Sequence, residues 1–207
     1  MDGNAERMHG IEGAGNADGA GQPARLGPWT RLRRREIYDN PWIRVREDDV
    51  LRPDGSPGIY GTVHFKNLAV AIVPIDEQGR VILVGQHRYS FDRYFWELPE
   101  GGCPLGHEAP ADAAARELRE ETGCTAARWD YLGTIELSNS VSDEIGHLYL
   151  ARELAEGAPE FDPTEQIAIK RVDFAEAWRM AMEGEITESL TVASLARARH
   201  FLAREQA

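Results

Sequence analysis

Cysteine is scarce in this chain: Cys103 and Cys124 are the only two in 207 residues. A disulfide framework is therefore not expected, and a reducing cytoplasm is the expected compartment. Cys103 and His107 would supply half of a zinc site, but no second ligand pair stands at structural spacing to complete it. No apolar run is long enough to span a bilayer and no signal-peptide pattern is present, so no membrane is expected as a partner. Positive charge is also short. Lys and Arg number 23 against 35 Asp and Glu, a net charge of -12, whereas nucleic acid and anionic membrane surfaces both call for a positive field. The basic run Arg33-Arg34-Arg35 reads most simply as a charged strand edge. Bulky apolar side chains are nearly missing from residues 1–28, where Gly, Ala, Asn and Asp dominate. Such a segment cannot bury enough surface to offset chain entropy and is expected to be a disordered tail. No internal repeat is present.

What remains is long enough for one well-filled core with an appendage. From Trp29 the chain alternates apolar and polar residues on either side of Asp39-Asn40-Pro41, which predicts a β-hairpin. Pro53-Asp54-Gly55 turns into a further strand, Ile59 to Phe65. Leu68 to Ile75 is nearly continuous apolar sequence, the pattern of a strand buried on both faces, and Asp76-Glu77-Gln78-Gly79 turns it into Val81 to Val84. An aromatic loop is expected through Phe91, Tyr94 and Phe95, with Pro99 and Gly101-Gly102 stopping any element before the next helix. Two strands, Arg128 to Leu137 and Ile145 to Ala151, flank the polar loop Ser138 to Glu144. A strand from Ile167 to Val172, a helix from Phe174 to Met182 and a last helix from about Glu188 to Arg204 complete the order. The expected class is α+β, an α/β/α sandwich with a mixed central sheet and an N-terminal antiparallel strand extension. Its parts would be a tail (1–28), a strand region (29–66) and a main domain (67–204).

The densest chemistry lies between Gly102 and Cys124. Pro110 suits a first helical turn, Asp112 complements the helix dipole, and Gly123 suits a left-handed C-terminal residue, which predicts a helix over Pro110 to Thr122. At about 100° per residue, Glu117, Glu120 and Glu121 fall within an arc of about 100°, with Ala111, Ala114, Ala115 and Leu118 on the adjoining, sheet-facing side. Carboxylates crowded in this way repel one another unless cations sit among them. Arg116 lies one turn from Glu120 and can orient it.

The pattern Gly102, Glu108, Arg116-Glu117-Leu118, Glu120-Glu121 and Gly123, with its spacings, resembles the signature of the Nudix hydrolases. Seven of these identities alone would arise by chance on the order of once in ten million starting points. Cys124 stands where the family prefers an aliphatic residue, and a buried thiol is a small hydrophobe. The resemblance implies a nucleoside diphosphate-linked small molecule as substrate and Mg²⁺ or Mn²⁺, two or three ions, as cofactor. It assigns Glu117 and Glu121 as principal metal ligands, Glu120 and Glu108 as assisting ones and Glu100 as a backbone ligand, with Arg116 and Glu120 as catalytic residues and Gly102 as a substrate-binding one. The strands before Leu68 and the turn Trp96-Glu97-Leu98-Pro99 resemble ADP-ribose pyrophosphatases, which implies a homodimer joined through the N-terminal strands. Arg88 then matches a phosphate-contacting arginine, Glu97 is either a substrate contact or an ordinary strand carboxylate, and Glu144 matches the general base by position, with Asp143 as its neighbour and rival. Asn139 replaces that subgroup's proline, which leaves open another nucleotide sugar of the GDP-mannose type or a dinucleotide. A non-catalytic ADP-ribose-sensing module is the competing reading from a different class, and the full glutamate set favours an enzyme.

Overall fold

A computed structural model describes residues 23–161 and 166–205, and residues 1–22 of the expected tail lie outside them. The strands and helices, in chain order, are β1 (Ala24–Leu26), β2 (Trp29–Asp39), β3 (Ile43–Leu51), β4 (Pro57–Phe65), β5 (Asn67–Pro74), β6 (Arg80–Arg88), β7 (Arg93–Glu97), β8 (Glu100–Pro104), α1 (Pro110–Thr122), β9 (Thr125–Leu137), β10 (Glu144–Ala155), β11 (Ala168–Asp173), α2 (Phe174–Met182) and α3 (Ser189–Glu205). The chain forms two compact units. One comprises Val45–Gly61 and the described residues up to Asp39; the other comprises Asn40–Arg44 and the residues from Thr62 onward.

The first unit is built on the sheet β1-β2-β3-β4. Here the sequence reading needs a correction, because Ala24–Leu26, assigned to the tail, is a strand antiparallel to β2 with Leu26 opposite Trp29. Strand pairing is made by the main chain and needs no bulky side chains, and Gly27 at φ 58° makes the tight reversal possible. Arg34 holds the buried Asp48 through two 2.8 Å hydrogen bonds, and Arg35 bonds Glu47 and Asp49 at 2.6 and 2.9 Å. Two arginines of the basic run, Arg34 and Arg35, are thus paired with acids of the next strand.

In the second unit, sheet β8-β5-β10-β9 is mixed, with β10 parallel to β5 and antiparallel to β9, and sheet β11-β6-β7 is antiparallel. Successive residues of β5 point to opposite sides, which explains its unbroken apolar run. Val70 and Ile72 pack with Ala113, Ala114 and Leu118 of α1, whereas Val73 packs with Ala177 and Met180 of α2 and Leu195 and Ala198 of α3. Strand β6 divides in the same way, Ile82 toward α1 and Val81 and Leu83 toward α2 and α3. The layering is α/β/α, as expected.

The aromatic stretch after Gln86 is more regular than expected. β6 extends to Arg88 and β7 pairs back onto it, while Gly101 and Gly102 lie inside β8, paired with Val70 and Ala69. Glycine there admits a close backbone approach instead of ending an element. Helix α1 has the expected bounds and its left-handed Gly123, but Ala111 and Ala115 are exposed, and Ala113 is buried in their place. The buried face is turned toward the carboxylates, so that Glu121 itself enters the interior.

On the edge strand β9, the register with β10 shifts between Leu148 and Tyr149. Gly133 takes φ 102° at this bulge, and Arg197 of α3 donates to the Leu132 carbonyl at 2.9 Å. No helix among the described residues is long and apolar enough to cross a membrane.

The β5–β6 turn is organised by Asp76, which accepts the backbone N–H groups of Gln78 and Arg80 and the Arg80 guanidinium at 2.9–3.0 Å. Burial alone would raise its pKa; the Arg80 amide and guanidinium outweigh this and hold it below the usual value. A depressed folded-state pKa stabilises above the unfolded pKa and is lost as pH falls through the folded one. Asp76→Asn should therefore cost about 1 kcal/mol at pH 7. Urea unfolding at pH 7 and at successively lower pH should show the gap to wild type closing on the acid side of about pH 4.

Candidate active site

The site is assembled where α1 lies along β8. Gly101 permits this contact: a Cβ there would stand 2.0 Å from the Glu117 carboxyl carbon. From the helix, Arg116 gathers the surrounding oxygens. It donates to both carboxylate oxygens of Glu108 at 3.2 and 3.0 Å, to Glu117 at 2.8 Å, to Glu120 at 3.1 Å and to the Gly102 carbonyl at 2.9 Å. Hydrogen bonds to Glu108 first, and to Glu117 and Glu120, hold this guanidinium far above its usual pKa against the opposing effect of burial. The expected orienting contact to Glu120 is present. The structure gives the Gly102 carbonyl to Arg116, because its strand faces the helix.

Glu121 is 4% exposed, a buried carboxylate on a helix face that would otherwise be apolar. The Glu100 amide donates to its Oε2 at 3.1 Å, supplying one of the hydrogen bonds that such burial requires. On the other side of the β7–β8 turn, Arg88 donates to both oxygens of Glu97 at 3.2 and 2.9 Å and pairs closely with Glu100. Burial pushes Glu97 above the ordinary carboxylate range in spite of Arg88. Glu100 is pushed up much further, by burial first and then by the charges of Glu188 and Glu97, and its Oε2 is buried without a hydrogen-bond partner.

Glu144 opens β10 and is raised above its usual pKa by burial, then by Glu188 and Asp143. Its rival Asp143 is engaged elsewhere, accepting the Phe65 N–H at 3.0 Å and pairing with His64. Sequence reasoning missed Glu188, which accepts the backbone N–H groups of Leu190 and Thr191 at 2.7 and 2.6 Å at the start of α3. It also missed Thr191, whose buried hydroxyl accepts the Leu98 N–H at 2.9 Å and braces the turn between Glu97 and Glu100. The available signal was a carboxylate immediately ahead of a helical apolar period, the place of an N-terminal cap.

Among the described residues, no three His, Cys, Asp or Glu side chains close around a common point as a cation cage, the glutamates being drawn to Arg116 and Arg88 instead. The residues nevertheless fit a hard divalent cation. The donor set is all oxygen, Gly101 leaves a cradle beside Glu117, and Glu100 keeps a buried oxygen unpartnered.

Comparison with known proteins follows the same lines. Residues 65–191 match the NUDIX domain, and residues 29–63 match the nucleoside diphosphate sugar hydrolase N-terminal domain. The chain is 38% identical to ADP-ribose pyrophosphatase of Mycobacterium tuberculosis over 77% of each chain. It is 30% identical to ADP-ribose pyrophosphatase of Bacillus subtilis over 77% of this chain and 86% of that one. The crystal structure of an ADP compounds hydrolase shares the fold, with a TM-score of 0.76 over 91% of this chain and 98% of that one at 21% identity. The chain belongs to the Nudix family and is a Nudix pyrophosphohydrolase. Members of this family generally use divalent metal ions.

Gly101→Ala separates site geometry from fold stability. The added methyl meets only the far end of the Glu117 side chain, so the melting temperature should stay within a few degrees of wild type. The displaced carboxylate should lower turnover by about 100-fold, measurable in parallel on the same preparation.

Proposed function

We propose that the protein hydrolyses the pyrophosphate bond of ADP-ribose, giving AMP and ribose 5-phosphate. The observation that carries the substrate class is the joint match of residues 29–63 to a nucleoside diphosphate sugar hydrolase N-terminal domain and of residues 65–191 to the NUDIX domain. The two relatives named ADP-ribose pyrophosphatase support the particular sugar. Glu117 and Glu121 would hold Mg²⁺ or Mn²⁺, two or three ions, with Glu120, Glu108 and the backbone carbonyl of Glu100 completing the set. When bound, the ions supply neutralising charge to the phosphate oxygens and a more acidic attacking water.

The chain's own residues provide orientation and proton transfer. Arg88, fixed by Glu97 and Glu100, offers its guanidinium to a phosphate oxygen. Glu144 accepts the proton of the attacking water; its raised pKa makes it a stronger base than an ordinary carboxylate. Arg116 keeps Glu117 and Glu120 from splaying apart. The water oxygen bonds to one phosphorus as the bridging oxygen leaves with the other phosphate.

The strand region over 29–66 would serve dimerisation and substrate binding. Exposed Leu32, Ile37, Tyr38 and Ile59 favour a covered surface there. Sedimentation equilibrium should then give twice the 23.1 kDa chain mass. A cytoplasmic location suits the two free, buried cysteines.

Incubation with ADP-ribose, GDP-mannose, NADH and diadenosine polyphosphates, followed by product chromatography, tests the substrate. ADP-ribose should turn over fastest, and Glu121→Gln should lower that rate by about 1,000-fold while the variant stays folded. Faster hydrolysis of GDP-mannose would reassign the substrate, and nucleotide binding without turnover in either metal would replace the enzyme with a sensing module.

A further inference from the structure

The loop from Ser138 to Asp143 ends at Glu144 and is held more firmly than its polar composition suggests. Ser138 takes a left-handed φ of 48° without being glycine, and its carbonyl accepts the N–H groups of Val141 at 2.8 Å and Ser142 at 2.9 Å. The Ser142 hydroxyl donates to the Leu137 carbonyl. The far side of the loop is then stitched to the end of β4: Val63 donates to the Val141 carbonyl at 2.8 Å, and Asp143 donates to the Val63 carbonyl at 3.3 Å. The last stitch is made by side chains. Asp143 Oδ1 accepts the Phe65 N–H at 3.0 Å, and Asp143 Oδ2 accepts from His64 Nδ1, across 79 positions of sequence.

We infer that the His64–Asp143 pair is a positioning clamp for Glu144, fixing the strand start from which that carboxylate reaches the attacking water. The inference rests on the reading of Glu144 as general base. Asp143 directly precedes Glu144, the first residue of β10, so gripping its side chain restrains the backbone at Glu144 without engaging the Glu144 carboxylate. The magnitudes separate this role from simple stabilisation. Asp143 is 50% exposed, and an ion pair this open contributes little to folding. A displacement of about 1 Å at a reacting group, in contrast, costs about 100-fold in rate.

The test uses the full chain with ADP-ribose and Mg²⁺, comparing Asp143→Asn, His64→Ala, their double variant, Glu144→Gln, and Asp143→Asn combined with Glu144→Gln. The clamp predicts that each single clamp variant loses about 10- to 100-fold in kcat with KM within about twofold. The His64 and Asp143 changes together should be no worse than the poorer of the two, because they break one device. In the Glu144→Gln background, Asp143→Asn should cost nothing more. Near-normal kcat in both clamp variants beside an inactive Glu144→Gln would overturn the clamp and leave the base in place. An equal further loss in the Glu144→Gln background would also overturn it, as would a rise in KM at unchanged kcat. Near-normal turnover of Glu144→Gln itself would instead show that the base reading has failed.

Discussion

A single guanidinium organises this active site. Arg116 bonds Glu108, Glu117, Glu120 and the Gly102 carbonyl at once, so the glycine-bearing strand, the approach to the helix and the helix itself are tied at one point. The chain carries a net charge of -12, and three carboxylates this close would drive one another apart. Arg116 relieves that repulsion with a fixed, planar set of donors, which a lysine's single ammonium could not match. Arg88 does the same on the other side for Glu97 and Glu100, and the two arginines together frame a site lined by carboxylate oxygens.

Around this frame, the folded chain places negative charge where it is least comfortable. Glu121 is buried on the core face of its helix, Glu100 keeps an unpartnered oxygen, and Glu188 adds its charge from the start of another helix. Each arrangement disfavours uncompensated negative charge at the site. Stability has been given up locally, with apolar layers on both faces of the sheet carrying the fold instead.

The sequence disclosed these layers because their signals are local. Apolar runs marked β5 and β6, Pro110 and Gly123 bounded α1, and the spacing of the glutamates along one helix marked the candidate site. What it concealed depends on contacts across long separations. The rotation of α1 that exposes Ala111 buries Glu121 where it accepts the Glu100 amide, 21 residues away. Thr191 reads as one more helical residue until the fold brings it under Leu98. That Asp143, and not its neighbour Glu144, pairs with His64 is likewise invisible in the sequence. Strand β1 was hidden for a different reason: main-chain pairing leaves no trace in side-chain polarity.

The bulge at Gly133 bears on a separate matter. Strand β9 is 13 residues long and forms the outer margin of its sheet, the kind of edge on which a second chain can grow by adding strands. The register shift breaks that margin into two shorter, differently aligned pieces, and Arg197 engages the Leu132 carbonyl at the break. The fold thereby carries its own protection against edge-to-edge aggregation, built from one glycine and one arginine at no expense to the catalytic machinery.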